Sequence, residues 1–303
     1  ELYSSAKRKT IPILFKGLKD GLAVAGLNFS VSRIPGDDSQ SEIVHSFLSH
    51  PLDKSKKIEV YWLKPKGDGP WPVVIEIHGH QEPDRPGAAN GFGWFEKIAK
   101  DDYIAAGISQ PGYGRSDGPP DYCGPFTQAA VQEVIRYFRG MAIVRSDRMA
   151  LYGMSRGAVV ASMVATKEPS LAALVLNVGV YDMQASYNLF RSSKATLDIA
   201  ENIASEAGTS EESFLERSAL KHVDQIKTPA LIMTSQHDNP DSARQAKQLA
   251  EEMKKRGVPV KFKEFSGFGH FIPNKIRNLE IDPFLRAYLL PRSIAIPSSE
   301  TGP

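Results

Sequence analysis

A serine between two glycines is the residue in this chain best suited to chemistry. Ser155 lies between Gly153 and Gly157 in GMSRG, after the apolar run DRMALYG and before RGAVVASMVATKEP, whose apolar residues have helical spacing. Small residues two positions to either side let a strand turn sharply into a helix and force the serine side chain outward. The pattern predicts a nucleophile elbow with Ser155 at its tip.

A serine hydroxyl needs a base within hydrogen-bond reach, and that base needs an acid to hold its tautomer. The strand-like run PALIMTSQ is followed closely by Asp238, and VKFKEF is followed by His270 in the loop SGFGHF. Both positions follow the carboxyl ends of predicted strands, which is where open parallel sheets bind their ligands. We expect Ser155 to be the nucleophile, His270 the base and Asp238 the acid, with Asp241 as an alternative acid.

A tetrahedral intermediate also needs N–H donors for its oxygen anion. One predicted donor is the backbone N–H of Arg156, directly after the serine and at the positive end of the following helix. The other is the backbone N–H of His80, in the loop after VVIEIHG, where Gly79 permits a close approach. These two groups form the predicted oxyanion hole.

Two other motifs resemble ligand sites. His78 and His80 have the spacing of metal ligands, but a dinuclear hydrolase site needs aspartate and histidine where this chain has Glu82 and Pro83. The loop QPGYGRSDGPP is glycine-rich but lacks the G-K-[ST] ending of a phosphate loop, so it predicts a flexible border of the pocket. We therefore predict no metal, and the proposed chemistry requires no cofactor.

The elements that must position these residues alternate between helices and short apolar strands. Runs such as PVVIEI, YIAAGIS and LAALVLNVGV are apolar without alternation, as in strands buried on both faces. This succession of buried strands and helices along the chain predicts an α/β fold with a mostly parallel central sheet and helices on both faces. EIVHSFLSH and KIEVYWLKP are also strand-like and predict an antiparallel edge.

The chain divides into three predicted regions. Residues 1–54 form an N-terminal extension that packs on the core, and residues 11–31 within it are interpreted as a partly amphipathic helix. Residues 55–290 form the catalytic domain, in which polar, helix-prone sequence at about 181–228 predicts a small cap. Residues 291–303 form a C-terminal tail.

Composition limits the classes of partner. The 303 residues carry 37 basic and 35 acidic side chains, and a net charge of +2 gives no strong field for nucleic acid. The chain has no unbroken apolar run of about 20 residues, so we predict no stable insertion into a membrane. Cys123 is the one cysteine and forms no internal disulfide, which favours a cytoplasmic protein and leaves export after signal removal open.

Several motifs together resemble the α/β-hydrolase superfamily. YGMSRG, RSALKHVDQIKTPALIMTSQHD, RQAKQLAEEMKKRGVPVKF and FSGFGHF are most similar to the catalytic domain of the prolyl oligopeptidase family and to dienelactone-hydrolase-like esterases. The resemblance covers about residues 55–290 and implies an α/β-hydrolase fold with Ser155, Asp238 and His270 as catalytic triad. It also implies that the Gly79–His80 turn is the oxyanion loop, although HGHQEPDRPG departs from the glycine-rich family loop.

We therefore predict a serine hydrolase that cleaves carboxylic esters through an acyl-enzyme, acting on a small-molecule ester or a short peptide. Serine at the elbow argues against dienelactone hydrolase activity, which uses cysteine. Without a propeller-sized region before residue 55, an esterase is favoured over an oligopeptidase. One alternative is an aminopeptidase or acyl-peptide hydrolase, and another is a non-catalytic binding protein of the same fold. Acidic residues that could anchor a peptide terminus are Glu201, Glu206, Glu211 and Glu212.

Overall fold

The protein is described by a computed structural model covering residues 28–33, 42–82, 84–100 and 102–290. Its strands are β1 Asn28–Arg33, β2 Glu42–Ser49, β3 Lys57–Leu63, β4 Trp71–Ile77, β5 Ile104–Ile108, β6 Val144–Met154, β7 Ala173–Asn177, β8 Ala230–Ser235 and β9 Val260–Phe265. They form one sheet in the order β1-β2-β3-β5-β4-β6-β7-β8-β9. The predicted tail 291–303 and most of the predicted extension lie outside the described residues.

The sheet is parallel except at one edge. Strands β5, β4, β6, β7, β8 and β9 run in the same direction, whereas β1, β2 and β3 pair antiparallel and β3 pairs antiparallel with β5. The central strands β5 and β7 are buried along their whole length, as their unbroken apolar sequences predict. The structure confirms the mostly parallel sheet and its antiparallel edge.

Helices cover both faces of this sheet. The α-helices are α1 Phe92–Lys100, α2 Pro125–Arg139, α3 Arg156–Ala165, α4 Met183–Phe190, α5 Leu197–Ala207, α6 Glu211–Leu215, α7 Pro240–Lys255 and α8 Asn274–Leu289, and short 3-10 helices span Gly87–Gly91 and Ala219–Gln225. Helices α2, α3 and α7 bury their apolar side chains against one face. Helices α1 and α8 do so against the other. In the part of the chain described, no helix combines the length and apolar character needed to cross a bilayer.

Strand β1 corrects the prediction of a helix over residues 11–31. Residues 28–31 belong to β1, which pairs with β2 from Asn28↔Phe47 to Arg33↔Glu42. In NFSVSR, Phe29 and Val31 alternate with polar residues, which is the period of a strand rather than a helix. The helix prediction is therefore wrong for these four residues, and the rest of it lies outside the described residues.

The connection between β7 and β8 is helical. It contains α4, α5, α6 and the 3-10 helix Ala219–Gln225, and we call residues 183–225 the helical insertion. Met183, Phe190, Ile203 and Phe214 anchor it to the core on the α3 side of the sheet. Because the insertion follows the carboxyl end of β7, it lies beside the strand ends that carry the candidate site.

Candidate active site

The turn between β6 and α3 holds Ser155 in a backbone conformation that few side chains adopt. Its φ is 54° and its ψ is −120°, so the residue is strained where the strand turns into the helix. A Cβ at Gly157 would overlap the carbonyl oxygen of Ile77, and one at Gly153 would overlap that of Gly157. The glycines around Ser155 are therefore required by close approach of the backbone, as the sequence pattern predicts.

Ser155, His270 and Asp238 are joined by hydrogen bonds. The distance from Ser155 Oγ to His270 Nε2 is 2.9 Å, and the distance from His270 Nδ1 to Asp238 Oδ1 is 3.0 Å. A carboxylate only accepts hydrogen bonds, so Nδ1–H donates to Asp238 and Nε2 is left to accept the serine hydroxyl. The structure brings together the three side chains that the sequence assigns as nucleophile, base and acid.

The loops after β8 and β9 fix this arrangement. The Asp238 side chain is 5% exposed, and its carboxylate accepts the backbone N–H of Asn239 at 2.8 Å and the Ser242 hydroxyl at 3.3 Å. The loop carrying His270 is held to the end of β8, where the Ser235 hydroxyl donates to the carbonyl of Gly269 at 2.5 Å. The acid and the base are therefore tied to adjacent strands of the sheet.

The alternative acid, Asp241, lies elsewhere. Its carboxylate accepts hydrogen bonds from the Ser186 hydroxyl at 3.2 Å and from the side-chain amide of Gln245. These bonds connect α7 to α4 in the helical insertion. Asp241 therefore has a structural contact, whereas Asp238 contacts His270.

The loop after β4 approaches the elbow closely. A Cβ at Gly79 would lie 3.2 Å from the carbonyl oxygen of Met154 and 3.3 Å from the Cβ of Ser155. The His78 ring holds this loop, since its Nδ1–H donates to the Gly79 carbonyl at 2.7 Å and its Nε2 accepts the Gln110 N–H at 3.1 Å. Burial lowers the pKa of His78 to about 4, so the ring is neutral.

His78 and His80, which have the spacing of metal ligands, have other partners. Both nitrogens of His78 are engaged by the backbone, and Nδ1 of His80 lies 3.3 Å from the Tyr113 hydroxyl. Within the described ranges, no three histidine, cysteine or acidic side chains are grouped as metal ligands.

A pocket of about 680 Å³ opens over Ser155. One wall consists of loops at the strand ends, with Gly79, His80 and Arg156 beside Ser155 and His270. The other wall comes largely from the helical insertion, and its lining residues include Leu189, Phe190, Ser193, Thr196, Asp198, Ile199 and Asn202. The sequence predicts a cap in this region but does not reveal which of its side chains face the pocket.

The side chain of Arg156 is a feature that sequence reasoning missed. The sequence assigns a role only to its backbone N–H. The residue borders the pocket, but its side chain is 1% exposed and its guanidinium is buried behind the pocket wall. Nη2 donates to Glu206 Oε2 at 2.7 Å, and the ring centroids of Tyr113 and Tyr122 lie 5.2 and 4.6 Å from Cζ. No sequence signal links Arg156 to Glu206, because they are 50 residues apart.

The acidic residues considered as peptide anchors do not line the pocket. The Glu206 side chain is 7% exposed and is paired with Arg156. Glu201, Glu211 and Glu212 are exposed on the helical insertion, outside the pocket lining. The acid of the insertion that does line the pocket is Asp198, which is exposed.

The sheet order, the elbow and the hydrogen-bonded side chains at the strand ends define an α/β-hydrolase. The family model of the prolyl oligopeptidase family matches residues 127–289, more than half of the chain, and the protein therefore belongs to that family. The model of the X-Pro dipeptidyl-peptidase family matches residues 54–196. The protein is a serine hydrolase, as the sequence predicts.

Its similar proteins include peptidases and esterases. The chain is 24% identical over 217 residues to the uncharacterized peptidase YtmA of Bacillus subtilis (strain 168), covering 64% of this chain and 80% of that protein. A puromycin-hydrolyzing peptidase of Mycobacterium tuberculosis matches with a TM-score of 0.69 and 16% identity, covering 86% of this chain and 41% of that one. Acetyl xylan esterase from Paenibacillus sp. R4 matches with a TM-score of 0.65 and 15% identity, and the match covers 87% of this chain and 89% of that one. The present chain thus spans less than half of the larger peptidase, and these structural similarities show the shared fold.

Proposed function

We propose that this protein hydrolyses carboxylic esters through an acyl-enzyme. Ser155 attacks the carbonyl carbon while His270 accepts the hydroxyl proton at Nε2. Asp238 keeps the proton on Nδ1 and stabilises the imidazolium that forms. The imidazolium then donates its proton to the leaving alcohol, and water activated by His270 releases the acid.

In this proposal the oxygen anion of the intermediate is stabilised by the backbone N–H groups of Arg156 and His80. Arg156 is the first residue of α3, so its N–H lies at the positive end of the helix dipole. The support for His80 is the close approach of Gly79 to the elbow, together with the bonds through which His78 holds this loop.

The observation that carries the proposal is the hydrogen-bonded chain from Ser155 through His270 to Asp238 at the floor of a mostly apolar pocket. An ester preference is supported by the position of the four acidic residues considered as anchors for a peptide terminus. None of them lines the pocket, and Glu206 is already paired with Arg156.

A second candidate function is an aminopeptidase acting on short peptides. The observation in its favour is Asp198, an exposed carboxylate in the pocket lining that could bind a substrate ammonium group. The match to a family of peptidases also supports it. Asp198 therefore separates the two candidates.

The test compares p-nitrophenyl esters with amino-acid p-nitroanilides, using wild type and Ser155→Ala. Ester hydrolysis that is lost in Ser155→Ala, with little nitroanilide cleavage, supports the esterase. Nitroanilide cleavage that falls in Asp198→Asn but persists in Asp224→Asn, a control in the 3-10 helix Ala219–Gln225, supports the aminopeptidase. Failure of a fluorophosphonate probe to label native Ser155 would favour a binding protein without turnover.

A further inference from the structure

Phe271 is an exposed aromatic side chain in the lining of the candidate active site. The residue is 77% exposed, although it directly follows the proposed base His270 and lines the pocket. The other lining residues from the loops after β8 and β9 include His237, Asp238 and Asn239, which are polar. Phe271 therefore supplies apolar surface on a side of the pocket that is otherwise polar, and a ligand that covers its ring would gain from burying it.

The exposure of this ring does not come from a loose backbone. Before it, the Gly269 carbonyl accepts the Ser235 hydroxyl at 2.5 Å, and the Phe268 carbonyl accepts the His237 N–H at 2.9 Å. After it, Ile272 is buried in the core beside α8. Since the chain is held on both sides of the ring, the aromatic surface is presented at a fixed place, and a ligand that packs on it has little to reorder.

The position of Phe271 distinguishes it from other exposed apolar side chains. Leu52 and Leu279 are also highly exposed, but both lie outside the pocket lining. Single exposed apolar residues of that kind are normal on protein surfaces and need no ligand. An exposed ring in the wall of a concave site is where a bound substrate can cover it.

The neighbouring His270 indicates which part of a substrate would do so. In the proposed mechanism His270 Nε2 takes the proton of Ser155 and gives it to the leaving oxygen, so the alcohol must lie against this imidazole. The centroid of the Phe271 ring lies 5.5 Å from that of the His270 ring, with the two planes at 84°. A substituent close to the leaving oxygen therefore lies beside the Phe271 ring.

The other parts of the substrate are bound elsewhere. The proposed oxyanion donors follow β4 and β6, whereas the Phe271 loop follows β9, at the far edge of the sheet. Apolar surface for an acyl chain is available on the helical insertion, where Leu189, Phe190 and Ile199 line the pocket. The ring of Phe271 is thus separate from the groups that bind the carbonyl oxygen and the acyl chain.

Resting on the proposed function, we propose that Phe271 determines specificity for the alcohol part of the ester. The favoured substrates are esters of alcohols that carry an aromatic group next to the alcohol carbon, and this group packs against the Phe271 ring. The two parts of the substrate are then selected by different elements, the acyl group by the helical insertion and the alcohol by the loop after β9.

Benzyl butyrate and methyl butyrate test this inference. The two esters form the same acyl-enzyme, and their leaving alcohols have nearly equal acidity, so the comparison isolates the benzyl ring. The readout is the ratio of their kcat/KM values, measured where both esters are fully dissolved. Because packing on Phe271 stabilises the benzyl ester through acylation, wild type should prefer it by about tenfold or more.

The variants remove or keep the ring. Phe271→Ala should lower the preference for the benzyl ester by about five- to tenfold, because the packing surface is lost. Phe271→Tyr keeps the aromatic face, and its ratio should stay within about twofold of wild type. Any general loss of activity from a change next to His270 cancels from the ratio. The control is Leu279→Ala, which removes an exposed apolar side chain outside the pocket lining and should leave the ratio unchanged.

Three results with dissolved substrates would overturn the inference: no benzyl preference in wild type, a preference kept in Phe271→Ala, or an equal loss in Leu279→Ala. Two further results would assign the ring to another occupant. A benzyl preference that appears only above the solubility limit would indicate binding to an ester droplet surface. A dimer that dissociates in Phe271→Ala, measured by size-exclusion chromatography, would indicate that a second copy of the chain covers the ring.

Hydrolysis of p-nitrophenyl butyrate distinguishes the levels of failure. If wild type cleaves this ester and Ser155→Ala does not, the proposed function holds. A benzyl preference that does not depend on Phe271 then overturns only this inference. If neither p-nitrophenyl butyrate nor the two test esters are cleaved, the proposed function fails together with it.

Discussion

The two walls of the pocket are built in different ways. On the wall formed by the strand ends, Ser155, His270 and Asp238 are fixed by hydrogen bonds and by close backbone approach. On the wall formed by the helical insertion, Leu189, Phe190 and Ile199 contribute apolar surface. In the proposed mechanism the first wall supplies the groups for bond cleavage, and the second supplies the shape and apolar surface that select a substrate. Substitutions on the two walls should therefore change different kinetic parameters.

The largest effect is expected at Ser155. Ser155→Ala removes the proposed nucleophile, so kcat for p-nitrophenyl ester hydrolysis should fall by about 10⁴- to 10⁶-fold with the fold intact by circular dichroism. Ser162→Ala is the matched control, because Ser162 lies on the same helix and donates only to the Val159 carbonyl. If Ser155→Ala kept most of its activity, the proposal that the strand-end wall carries out the reaction would be contradicted.

The second prediction compares the two aspartates near the start of α7. Asp238→Asn should lower kcat by roughly 10³- to 10⁴-fold, because the amide no longer holds the His270 tautomer or stabilises its cation. Asp241→Asn should leave kcat within a few fold of wild type and instead lower the thermal unfolding temperature, since it weakens the contacts to Ser186 and Gln245. The reverse order of effects would assign the acid to Asp241.

A smaller and different effect is expected on the insertion wall. Leu189→Ala removes apolar surface from the pocket, so KM for a medium-chain acyl ester should rise by about three- to tenfold with kcat nearly unchanged. Leu279→Ala is the control, because this leucine is exposed on α8 and lies outside the pocket lining. A fall in kcat without a change in KM would contradict the division between the walls.

The last prediction concerns stability rather than catalysis, at the loop that His78 holds. The pKa of His78 is about 4 in the folded protein and ordinarily 6.5, so the unfolded chain binds more protons between these values. Its contribution of roughly 2–3 kcal/mol is present above pH 6.5 and is lost as the pH falls towards 4. Urea unfolding of wild type and His78→Asn at pH 7 and pH 4.5 checks this. The variant should lose less stability between the two pH values, and equal losses would contradict the assignment.

The strand-end wall could be predicted largely from sequence because its requirements are local. The glycines beside Ser155 follow from the backbone of one turn, and the apolar runs before Asp238 and His270 indicate buried strands. The sequence favours Asp238 over Asp241 because Asp238 follows the strand more closely. The contacts of Asp241 with Ser186 and Gln245 could not be predicted, because these residues approach only in the folded chain.

The insertion wall could be predicted only as a helix-prone segment. Its contacts join distant residues, and the pairing of Glu206 with Arg156 depends on how α5 packs beside the elbow. Nothing in the sequence distinguishes Glu206, whose side chain is 7% exposed, from Glu201, which is exposed. The strand at residues 28–33 was missed for a different reason: NFSVSR has the period of a strand, but it was interpreted as the end of the preceding apolar run.

The central claim is that Ser155 becomes acylated during turnover. Pre-steady-state hydrolysis of a p-nitrophenyl ester, combined with mass spectrometry of the acid-quenched enzyme, tests it directly. The account predicts a burst of about one p-nitrophenol per active site and one acyl group on the peptide that contains Ser155, both absent in Ser155→Ala. Turnover with an acyl group on another residue, or a burst that survives in Ser155→Ala, would contradict it.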